Sequence, residues 1–266
     1  MKVFDCFTFF NELELLDLRL MAMYDNVDYL ILVEADKTHR GEPKEFIFEL
    51  NKRKFEKYLD KLVYIKVKDL PLHKGNGDWA AENFQRNCIN RALDDLAVED
   101  DIILVSDIDE IPNYNTVSEH FNEKEFVTLV HRLYYYYVNC SVSFPWYGPV
   151  MYKYKHGILP NDMRNLAAFG PRNKVVLEGG WHYSYTGGPL RIKKKINSIV
   201  EGYQIADRVG TVEDIMHKMT NQEDLWNRKD ENFSESLIDV SDPVLAPSCI
   251  LDFIEKYPSF YFNKII

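Results

Sequence analysis

The sequence contains few of the features that mark membrane, secreted or nucleic-acid-binding proteins. No run reaches the roughly 18 consecutive apolar residues that a membrane-spanning helix needs, and the start, MKVFDCFTFFNELE, does not follow the pattern of a secretory leader. Basic residues are outnumbered, 32 against 42 acidic ones, and the formal net charge of −10 disfavours nucleic acid and anionic lipid as partners. We therefore expect a cytoplasmic protein with no membrane span and no nucleic-acid partner.

Cysteine is also scarce, and its four occurrences are far apart. They lack the paired spacing of a zinc site or of a small disulfide framework, and they lie at Cys6, Cys88, Cys140 and Cys249. We expect all four to be reduced core residues.

Apolar patterning predicts an α/β fold. Short β-branched runs alternate with helical patterns in the first half, which is typical of a mostly parallel sheet. The second half is more aromatic and is expected to be more antiparallel. The predicted strands are residues 3–10, 27–33, 62–67, 102–105, 126–138, 149–154 and 174–185, and the main predicted helices are 11–24 and about 79–96.

No internal repeat, low-complexity tract or interdomain linker divides the chain, so one domain is expected over residues 1–266. Its first part, about 1–112, would bind a nucleotide at the strand ends. The aromatic part, about 113–190, would bind something flatter, such as the sugar rings of an acceptor. Residues 191–266 are predicted to be a helical C-terminal extension.

The segment DIILVSDIDEIP, residues 101–112, is the most informative in the chain. Asp107 and Asp109 follow a buried strand, so two hard oxygen ligands would lie at the edge of the sheet. A divalent ion there could bridge the protein to a diphosphate. The alternative is an ordinary polar end of a strand, because such short motifs are common.

A histidine in the segment GGWHYSY, His182, is the candidate third metal ligand. Imidazole together with carboxylate suits manganese and related ions, and the two glycines before Trp181 allow a close backbone approach. Alternatively, His182 is an ordinary hydrogen-bonded residue after a strand.

Further candidates for donor binding lie on the nucleotide-binding half. Asn11 and Glu12 precede a predicted helix, where free N–H groups bind anions or polar ligands or are simply capped. Glu34 closes the second strand and would accept hydrogen bonds from a ribose or base, or serves as a loop acid. Arg86, followed by Asn87, could reach the diphosphate or form a surface ion pair along its helix.

Two other features are each open to two interpretations. Trp146, in the segment PWYG, could stack on a pyranose ring of the acceptor or anchor a loop. The basic run from Arg191 to Lys195 could bind a diphosphate or form one solvated helix face.

Five sequence blocks, taken together and in order, resemble glycosyltransferase family 17. They are FDCFTFFNELELLDLRL at 4–20, VEADKTHRGEPK at 33–44, WAAENFQRN at 79–87, ILVSDIDEIP at 103–112 and GGWHYSY at 179–185. The resemblance implies a GT-A fold with a mixed, mostly parallel sheet flanked by helices. It also implies a UDP-sugar donor, UDP-N-acetylglucosamine, with inversion at the anomeric carbon. The implied cofactor is Mn²⁺ or Mg²⁺, held at Asp109 with help from Asp107 and with His182 as a ligand.

Direct displacement needs a base that deprotonates the acceptor hydroxyl. Asp162, in the segment LPNDMR, and Glu178, just before the glycine pair, are equal candidates within the acceptor-binding part. Either could instead be a structural carboxylate. Trp181 is a candidate wall for the acceptor sugar, beside Trp146.

Three rival functions remain open to different degrees. A nucleotidyltransferase would use the same metal site, but it usually needs a glycine-rich basic loop near the amino terminus, where this chain has FFNELE. A carbohydrate-binding protein without catalysis would have no use for the acidic segment. A transferase with another nucleotide sugar differs only in a few pocket side chains. The partners expected are a nucleotide sugar and a glycan acceptor, and the sequence does not fix the acceptor or the oligomeric state.

Overall fold

A computed structural model describes residues 1–171, 174–228 and 235–263, and within them the strands form one mixed sheet. The strands are β1 (Val3–Phe9), β2 (Tyr29–Ala35), β3 (Leu62–Val67), β4 (Ile102–Asp107), β5 (Glu110–Pro112), β6 (Val127–Tyr135), β7 (Cys140–Trp146), β8 (Val150–Lys153), β9 (Val175–Ser184) and β10 (Glu235–Leu237). Their order is β10-β7-β6-β8-β4-β1-β2-β3, and β9 pairs with β5 and β6.

Helices cover both faces of this sheet. They are α1 (Leu13–Met23), α2 (Ile47–Asn51), α3 (Ala80–Asn87), α4 (Asn90–Leu96), α5 (Tyr114–Ser118), α6 (Pro160–Phe169), α7 (Pro189–Ser198), α8 (Gly202–Val209), α9 (Val212–Asn221) and α10 (Ile250–Lys256). Among the described residues, no helix is both long and apolar enough to span a bilayer.

Strands β1 to β4 form the parallel half of the sheet, because β3, β2, β1 and β4 pair side by side in one direction. Alternate residues of β1 face opposite helix layers. Phe7 packs in one core with Leu16 and Leu20 of α1, whereas Cys6 packs in the other core with Ile89. Burial on both faces explains why these strands are apolar runs instead of alternating patterns. The predicted parallel front half is confirmed.

The other half of the sheet is built mainly from antiparallel pairs. Strand β8 lies antiparallel to β4 and to β6, and β7 lies antiparallel to β6 and β10. Strand β9 runs parallel to β6 and antiparallel to β5, where His182 is opposite Glu110. This register brings GGWHYSY beside the acidic segment. The predicted fold class, a mixed α/β sheet flanked by helices, is confirmed.

Close packing of β9 against β5 and β6 depends on Gly180. A Cβ at this position would overlap the carbonyl oxygen of Ile111 and lie 2.6 Å from Nε2 of His131. The predicted strand is present over Val175–Ser184, and its pairing with β6 shifts register between Val176 and Gly180.

Two helical predictions were wrong in detail. The single helix expected over about 79–96 is divided into α3 and α4, and the side-chain amide of Asn90 donates to the carbonyl of Ile158 at 2.8 Å just after the division. The C-terminal extension over 191–266, predicted to be helical, contains the short strand β10. Part of the predicted C-terminal extension, residues 229–234 and 264–266, lies outside the described residues.

The prediction that all four cysteines are reduced is confirmed, whereas the prediction that all four lie in the core holds for three of them. All four cysteines are free, and three of them are buried, whereas Cys249 is partly exposed. Burial raises the pKa of the Cys88 thiol to about 11, so it stays protonated and packs as a small apolar side chain.

Candidate active site

The candidate site is at the carboxyl ends of the parallel strands, around the residues that connect β4 to β5. These residues, Asp107 to Glu110, are called the acidic turn below. The end of β1 lies alongside, because Thr8 is opposite Asp107 in the parallel register. Ligands of open α/β sheets commonly bind at this edge.

A buried arginine on α1 holds the acidic turn in place. Arg19 pairs with Asp5 of β1 at 2.5 Å, and both side chains are fully buried. The same guanidinium donates to the carbonyls of Asp107 at 2.7 Å and Glu110 at 3.1 Å, and to the hydroxyl of Ser106 at 2.7 Å. One side chain therefore joins α1, β1 and both ends of the turn.

Both carboxylate oxygens of Asp107 accept hydrogen bonds from the protein. One oxygen is 3.1 Å from Arg86 and 3.1 Å from the Thr8 hydroxyl, and the other is 2.9 Å from Arg164 of α6. Burial by itself would raise the pKa of Asp107, but the two guanidinium groups, with Arg164 the stronger, hold it well below its ordinary value. Asp107 is thus a fixed anion that orients two arginines.

Glu110 is the structural anchor of the turn. Its carboxylate, 1% exposed, accepts two hydrogen bonds from Arg164, at 2.6 and 2.7 Å. It also accepts from the indole of Trp146 at 2.5 Å and from the backbone N–H of Asp107 at 2.7 Å. These four donors satisfy a buried charge that would otherwise be costly.

Asp109 has different partners from the other two acids. One of its oxygens lies 2.5 Å from the ammonium of Lys195 on α7 and 3.5 Å from Nε2 of His182. Burial acting alone would raise the pKa of Asp109, but Lys195 and then His182 lower it far below its ordinary value. The Asp109 carboxylate is ionised and faces cationic or metal-binding groups instead of arginine forks.

Comparison with known proteins identifies the family of this chain. The profile of glycosyltransferase family 17 matches residues 1–234, which is most of the chain and includes the acidic turn, α6, His182 and Lys195. The chain belongs to glycosyltransferase family 17. The resemblance seen in the five sequence blocks is therefore confirmed.

Curated relatives in this family are mammalian. Beta-1,4-mannosyl-glycoprotein 4-beta-N-acetylglucosaminyltransferase from Rattus norvegicus is 28% identical over 117 residues, which cover 42% of this chain and 22% of that protein. The Homo sapiens protein of the same name is 30% identical over 108 residues, covering 38% and 20%. The chain thus matches about a fifth of the length of these relatives.

Among solved structures, glucosyl-3-phosphoglycerate synthase from Mycobacterium tuberculosis, in complex with Mn²⁺, UDP and phosphoglyceric acid, is 11% identical. The alignment covers 94% of this chain and 91% of that chain, with a TM-score of 0.37.

The residues of the family 17 site fit a divalent cation at Asp109. Asp109 and His182 lie side by side, with Nε2 of His182 3.5 Å from the Asp109 carboxylate. The other ring nitrogen, Nδ1, is buried without a hydrogen-bond partner among the described residues. The ammonium of Lys195 shows that the site accommodates positive charge next to Asp109. Within the described part of the chain, no three acidic, histidine or cysteine side chains group as a complete metal cage. Two protein ligands plus substrate phosphates is a usual arrangement for such ions.

Arg86 and Asn87 both lie at the site, and they have different contacts. Arg86 pairs with Glu82 at 2.9 Å along its helix and also with Asp107, but it is buried, so the pair is not the surface ion pair expected. Its contact with a diphosphate stays a prediction. It also donates to the side chain of Asn161 at 2.7 Å. Asn87 accepts from the backbone N–H of Asn161 at 2.9 Å and thereby holds the start of α6 against α3.

Glu34 is fully committed to contacts within the fold. Its carboxylate, 0% exposed, accepts from the backbone N–H groups of Ile47 and Phe48, from the Lys44 ammonium and from the Tyr64 hydroxyl at 2.6 to 3.1 Å. These contacts make Glu34 a clamp between β2 and the start of α2, which the sequence did not indicate.

Asn11 and Glu12 lie between β1 and α1, as predicted from their position before a helix. One oxygen of Glu12 accepts the backbone N–H groups of Phe10 and Asn11, at 3.2 and 2.9 Å. Together with Tyr185 and Lys195, both residues line a small cavity beside the acidic turn. Glu12 also contributes to raising the pKa of Lys195, after Asp109.

The two tryptophans predicted to contact the acceptor occupy different environments. Trp146 is half-buried, and its ring lies 4.6 Å from the ring of His182, next to Asp109. Trp181 is 4% exposed and packs in a core with Ile111 and Tyr183. The two residues differ because Trp181 precedes His182, and successive residues of a strand face opposite sides.

The two carboxylates predicted as bases are both exposed. Asp162 lies in the first turn of α6, two residues before Arg164. Glu178 lies in β9 with a positive φ of 57°. Among the described residues, neither side chain forms an ion pair. Both are open to solvent and therefore to an acceptor substrate.

Sequence reasoning missed four residues that the structure places at the site: Arg19, Glu110, Arg164 and Lys195. Glu110 is part of the acidic segment, but its role as an acceptor for Arg164 and Trp146 has no local signal in the sequence. Lys195 belonged to a basic run whose individual members could not be distinguished. Arg19 and Arg164 carry no local signal, although an arginine in an otherwise buried helix face, as in LLDLRLM, is one sign of a buried charge partner.

Proposed function

We propose that this chain is an inverting, metal-dependent glycosyltransferase that moves N-acetylglucosamine from UDP-N-acetylglucosamine to a hydroxyl of a glycan. The observation that carries the proposal is the Asp109 carboxylate 3.5 Å from Nε2 of His182, at the carboxyl edge of a parallel sheet, in a member of glycosyltransferase family 17. A purely structural acid there would be expected to have a fork of hydrogen bonds like that of Glu110.

Asp109 and His182 would hold the Mn²⁺ or Mg²⁺ ion, and Asp107 would support the site indirectly, through the arginines that it binds. The ion, when bound, supplies charge that stabilises the departing diphosphate. Asp107 fixes Arg86 and Arg164, whose side chains are 5% and 9% exposed. Nε of Arg86 is buried without a partner among the described residues, so the hydrogen-bonding capacity of this guanidinium is not fully used within the fold.

The transfer step is a direct displacement. The acceptor hydroxyl oxygen forms a bond to the anomeric carbon while the bond from that carbon to the diphosphate oxygen breaks. The bonding electrons leave with UDP, and the hydroxyl proton passes to a carboxylate base. Attack opposite the leaving group inverts the anomeric configuration. Asp162 and Glu178 are the proposed bases, because both are exposed acids of the acceptor-binding part.

The choice of N-acetylglucosamine rests on the relatives. Their name describes transfer of N-acetylglucosamine to a mannosyl glycoprotein, although the match covers only about a fifth of their length. Galactose and glucose nucleotides are the alternatives that the pocket side chains would have to exclude.

The proposal is tested by measuring UDP release from UDP-N-acetylglucosamine, UDP-galactose and UDP-glucose with Mn²⁺ and a panel of mannose-containing oligosaccharides. Acceptor-dependent release from UDP-N-acetylglucosamine supports it, and NMR of the product reports the anomeric configuration. Preferential release of UDP from UDP-galactose or UDP-glucose would show that the donor differs from the one proposed. Retention of configuration would contradict the displacement mechanism.

The base is identified by Asp162→Asn and Glu178→Gln. Loss of the base lowers kcat by about a hundredfold or more and leaves donor affinity unchanged, because proton transfer is needed only in the chemical step. The other variant serves as the control in the same protein. A variant that loses donor affinity and turnover equally has lost a positioning residue.

A further inference from the structure

The basic residues of α7 have separate roles, and only some of them bear on the site. Arg191 pairs with Glu14 at 2.6 Å, the Lys193 ammonium donates to the carbonyl of Gly210 at 2.6 Å, and Lys194 is exposed with its ammonium 5.9 Å from the centre of the Phe10 ring. Among the described contacts of this helix, Lys195 is the one that reaches the acidic turn. The basic run is therefore not one uniform solvated face.

Packing of α7 fixes the position of Lys195. Ile192 and Ile196, one turn apart, are fully buried and lock the rotation of the helix. Lys195 then projects toward Asp109, its ammonium 5.4 Å from the centre of the Tyr185 ring and its side chain 22% exposed. The long, flexible stem of a lysine lets the ammonium move several ångströms while the helix stays in place.

The ammonium binds the same atom that the proposed cation needs. The Asp109 oxygen that is 2.5 Å from Lys195 is also the one 3.5 Å from Nε2 of His182. A divalent ion between Asp109 and His182 would lie within a few ångströms of the ammonium, and two positive charges that close repel each other strongly. The two cations therefore compete for Asp109 until a further anion is present.

We propose that Lys195 is a tethered cation that neutralises Asp109 in the donor-free protein and moves to the donor diphosphate when the metal and the nucleotide sugar bind. This inference rests on the proposed function. The diphosphate supplies the additional negative charge that lets both cations stay in the site, one on Asp109 and His182 and the other on a phosphate oxygen. Lys195 then stabilises the UDP leaving group.

Two consequences follow for binding. In the absence of nucleotide, Lys195 weakens metal binding, because the ion must displace an ammonium from Asp109. In the presence of nucleotide, Lys195 strengthens binding of the diphosphate. A lysine with only a structural role would not show both effects. Removing it would leave the affinity for the diphosphate unchanged at saturating metal.

The test compares wild type, Lys195→Met and Lys194→Met. Free Mn²⁺ is measured by electron paramagnetic resonance during titration without nucleotide, and UDP affinity is measured by calorimetry at saturating Mn²⁺. We expect Lys195→Met to bind Mn²⁺ about tenfold more tightly and UDP about tenfold more weakly than wild type. Lys194→Met, the neighbouring exposed lysine, should match wild type in both titrations.

Should Lys195→Met not fold, Lys195→Gln provides the same two readouts with a polar side chain. If wild type binds UDP with Mn²⁺ and the Lys195 variant matches it in either titration, the inference about Lys195 is overturned and the proposed function stands. If wild type binds no UDP with or without Mn²⁺, the proposed function fails and the inference fails with it.

Discussion

At the scale of single residues, the three acids of the turn differ in their partners, and this sets their roles. Asp107 and Glu110 are surrounded by arginine, indole and backbone donors. Asp109 faces His182 and Lys195, whose side chain is long and flexible. The first two acids are therefore held by contacts within the fold, whereas the proposed function requires Asp109 to exchange its lysine partner for a metal ion.

Asp109→Asn should abolish the metal dependence of UDP binding and leave the fold intact. The neutral amide is a weak ligand for a hard divalent ion, and UDP affinity at saturating Mn²⁺ should fall by at least about a hundredfold. Calorimetry measures the affinity, and circular dichroism checks the fold. Asp95→Asn, the same change at an exposed position on α4, is the control. Manganese-dependent UDP binding by Asp109→Asn would remove this residue from the metal site.

His39 makes the stability of the protein depend on pH. Burial alone would lower its pKa, but contact with Glu82, 3.4 Å from Nδ1, raises the pKa above the ordinary value of 6.5. The folded state therefore binds this proton more tightly than the unfolded state. The stabilisation is complete below about pH 6.5 and is lost as the pH rises through the raised pKa of the folded state.

His39→Gln should remove this pH-dependent part. The quantity compared is the difference in free energy of unfolding between wild type and the variant. This difference should be larger at about pH 5.5 than at about pH 8.5, by on the order of 1 kcal/mol. Urea denaturation at the two pH values measures the difference. Glu82 remains ionised at both pH values, because its own pKa is lowered to about 2. Burial alone would raise this pKa, but contact with His39 and Arg86 outweighs burial. An equal difference at both pH values would contradict the assignment.

The residues that the sequence could predict are those with a local signal. Asp107 and Asp109 follow an apolar strand, and His182 follows a glycine pair, so their position at one edge of the sheet was predictable. Arg164 and Lys195 contact the turn from helices far along the chain, 57 and 86 residues from their aspartate partners. Such contacts depend on how helices pack, and spacing in one sequence does not contain that information.

At the scale of elements, the pairing of Arg19 with Asp5 joins α1 to the sheet. Arg19→Met should lower the free energy of unfolding by about 3–5 kcal/mol, because Asp5 would remain as an unpaired buried charge. The double variant Asp5→Val/Arg19→Met should recover at least about 2 kcal/mol of this loss, since it removes both charges. Denaturant titration of the two variants measures the difference. A double variant that is no more stable than Arg19→Met would show that the pair is not the main contribution.

Strand β9 depends on the absence of a side chain at Gly180. Gly180→Ala should destabilise the protein by about 3 kcal/mol, because the new Cβ meets the backbone of Ile111 and the ring of His131. Gly157→Ala is the matched control. Its φ of +87° makes an alanine backbone unfavourable there too, but no atom lies within 4 Å of an added Cβ. The control should lose about 1 kcal/mol. Thermal unfolding of the two variants compares them, and equal losses would contradict the close packing.

The sheet was easier to predict than the helices. The strand 62–67 occurs as predicted and the other predicted strands are shifted by only a few residues, because burial on both faces makes each parallel strand a short apolar run. Strands β5, β7 and β10 were not predicted. The division between α3 and α4 has no glycine or proline to mark it. It coincides with Asn90, whose side chain contacts Ile158 from a distant part of the chain, so tertiary contact overrides a continuous helical pattern.

At the scale of the whole molecule, one chain combines a parallel sheet, an aromatic antiparallel half and the helices α7 to α9. Each part contributes to the site: the acidic turn comes from the sheet, Trp146 and His182 from the antiparallel half, and Lys195 from α7. The predicted division into nucleotide-binding, acceptor-binding and C-terminal parts remains a prediction about function. In the structure, the three parts meet at Asp109.

The most direct test of the account is calorimetric titration of UDP-N-acetylglucosamine into the purified wild-type protein, first with Mn²⁺ and then with a chelator. We predict binding with Mn²⁺ and a loss of affinity of at least about a hundredfold with the chelator, because Asp109 and His182 need the ion to hold the diphosphate. Equal binding in the two conditions, or binding in neither, would contradict a metal-dependent nucleotide-sugar site.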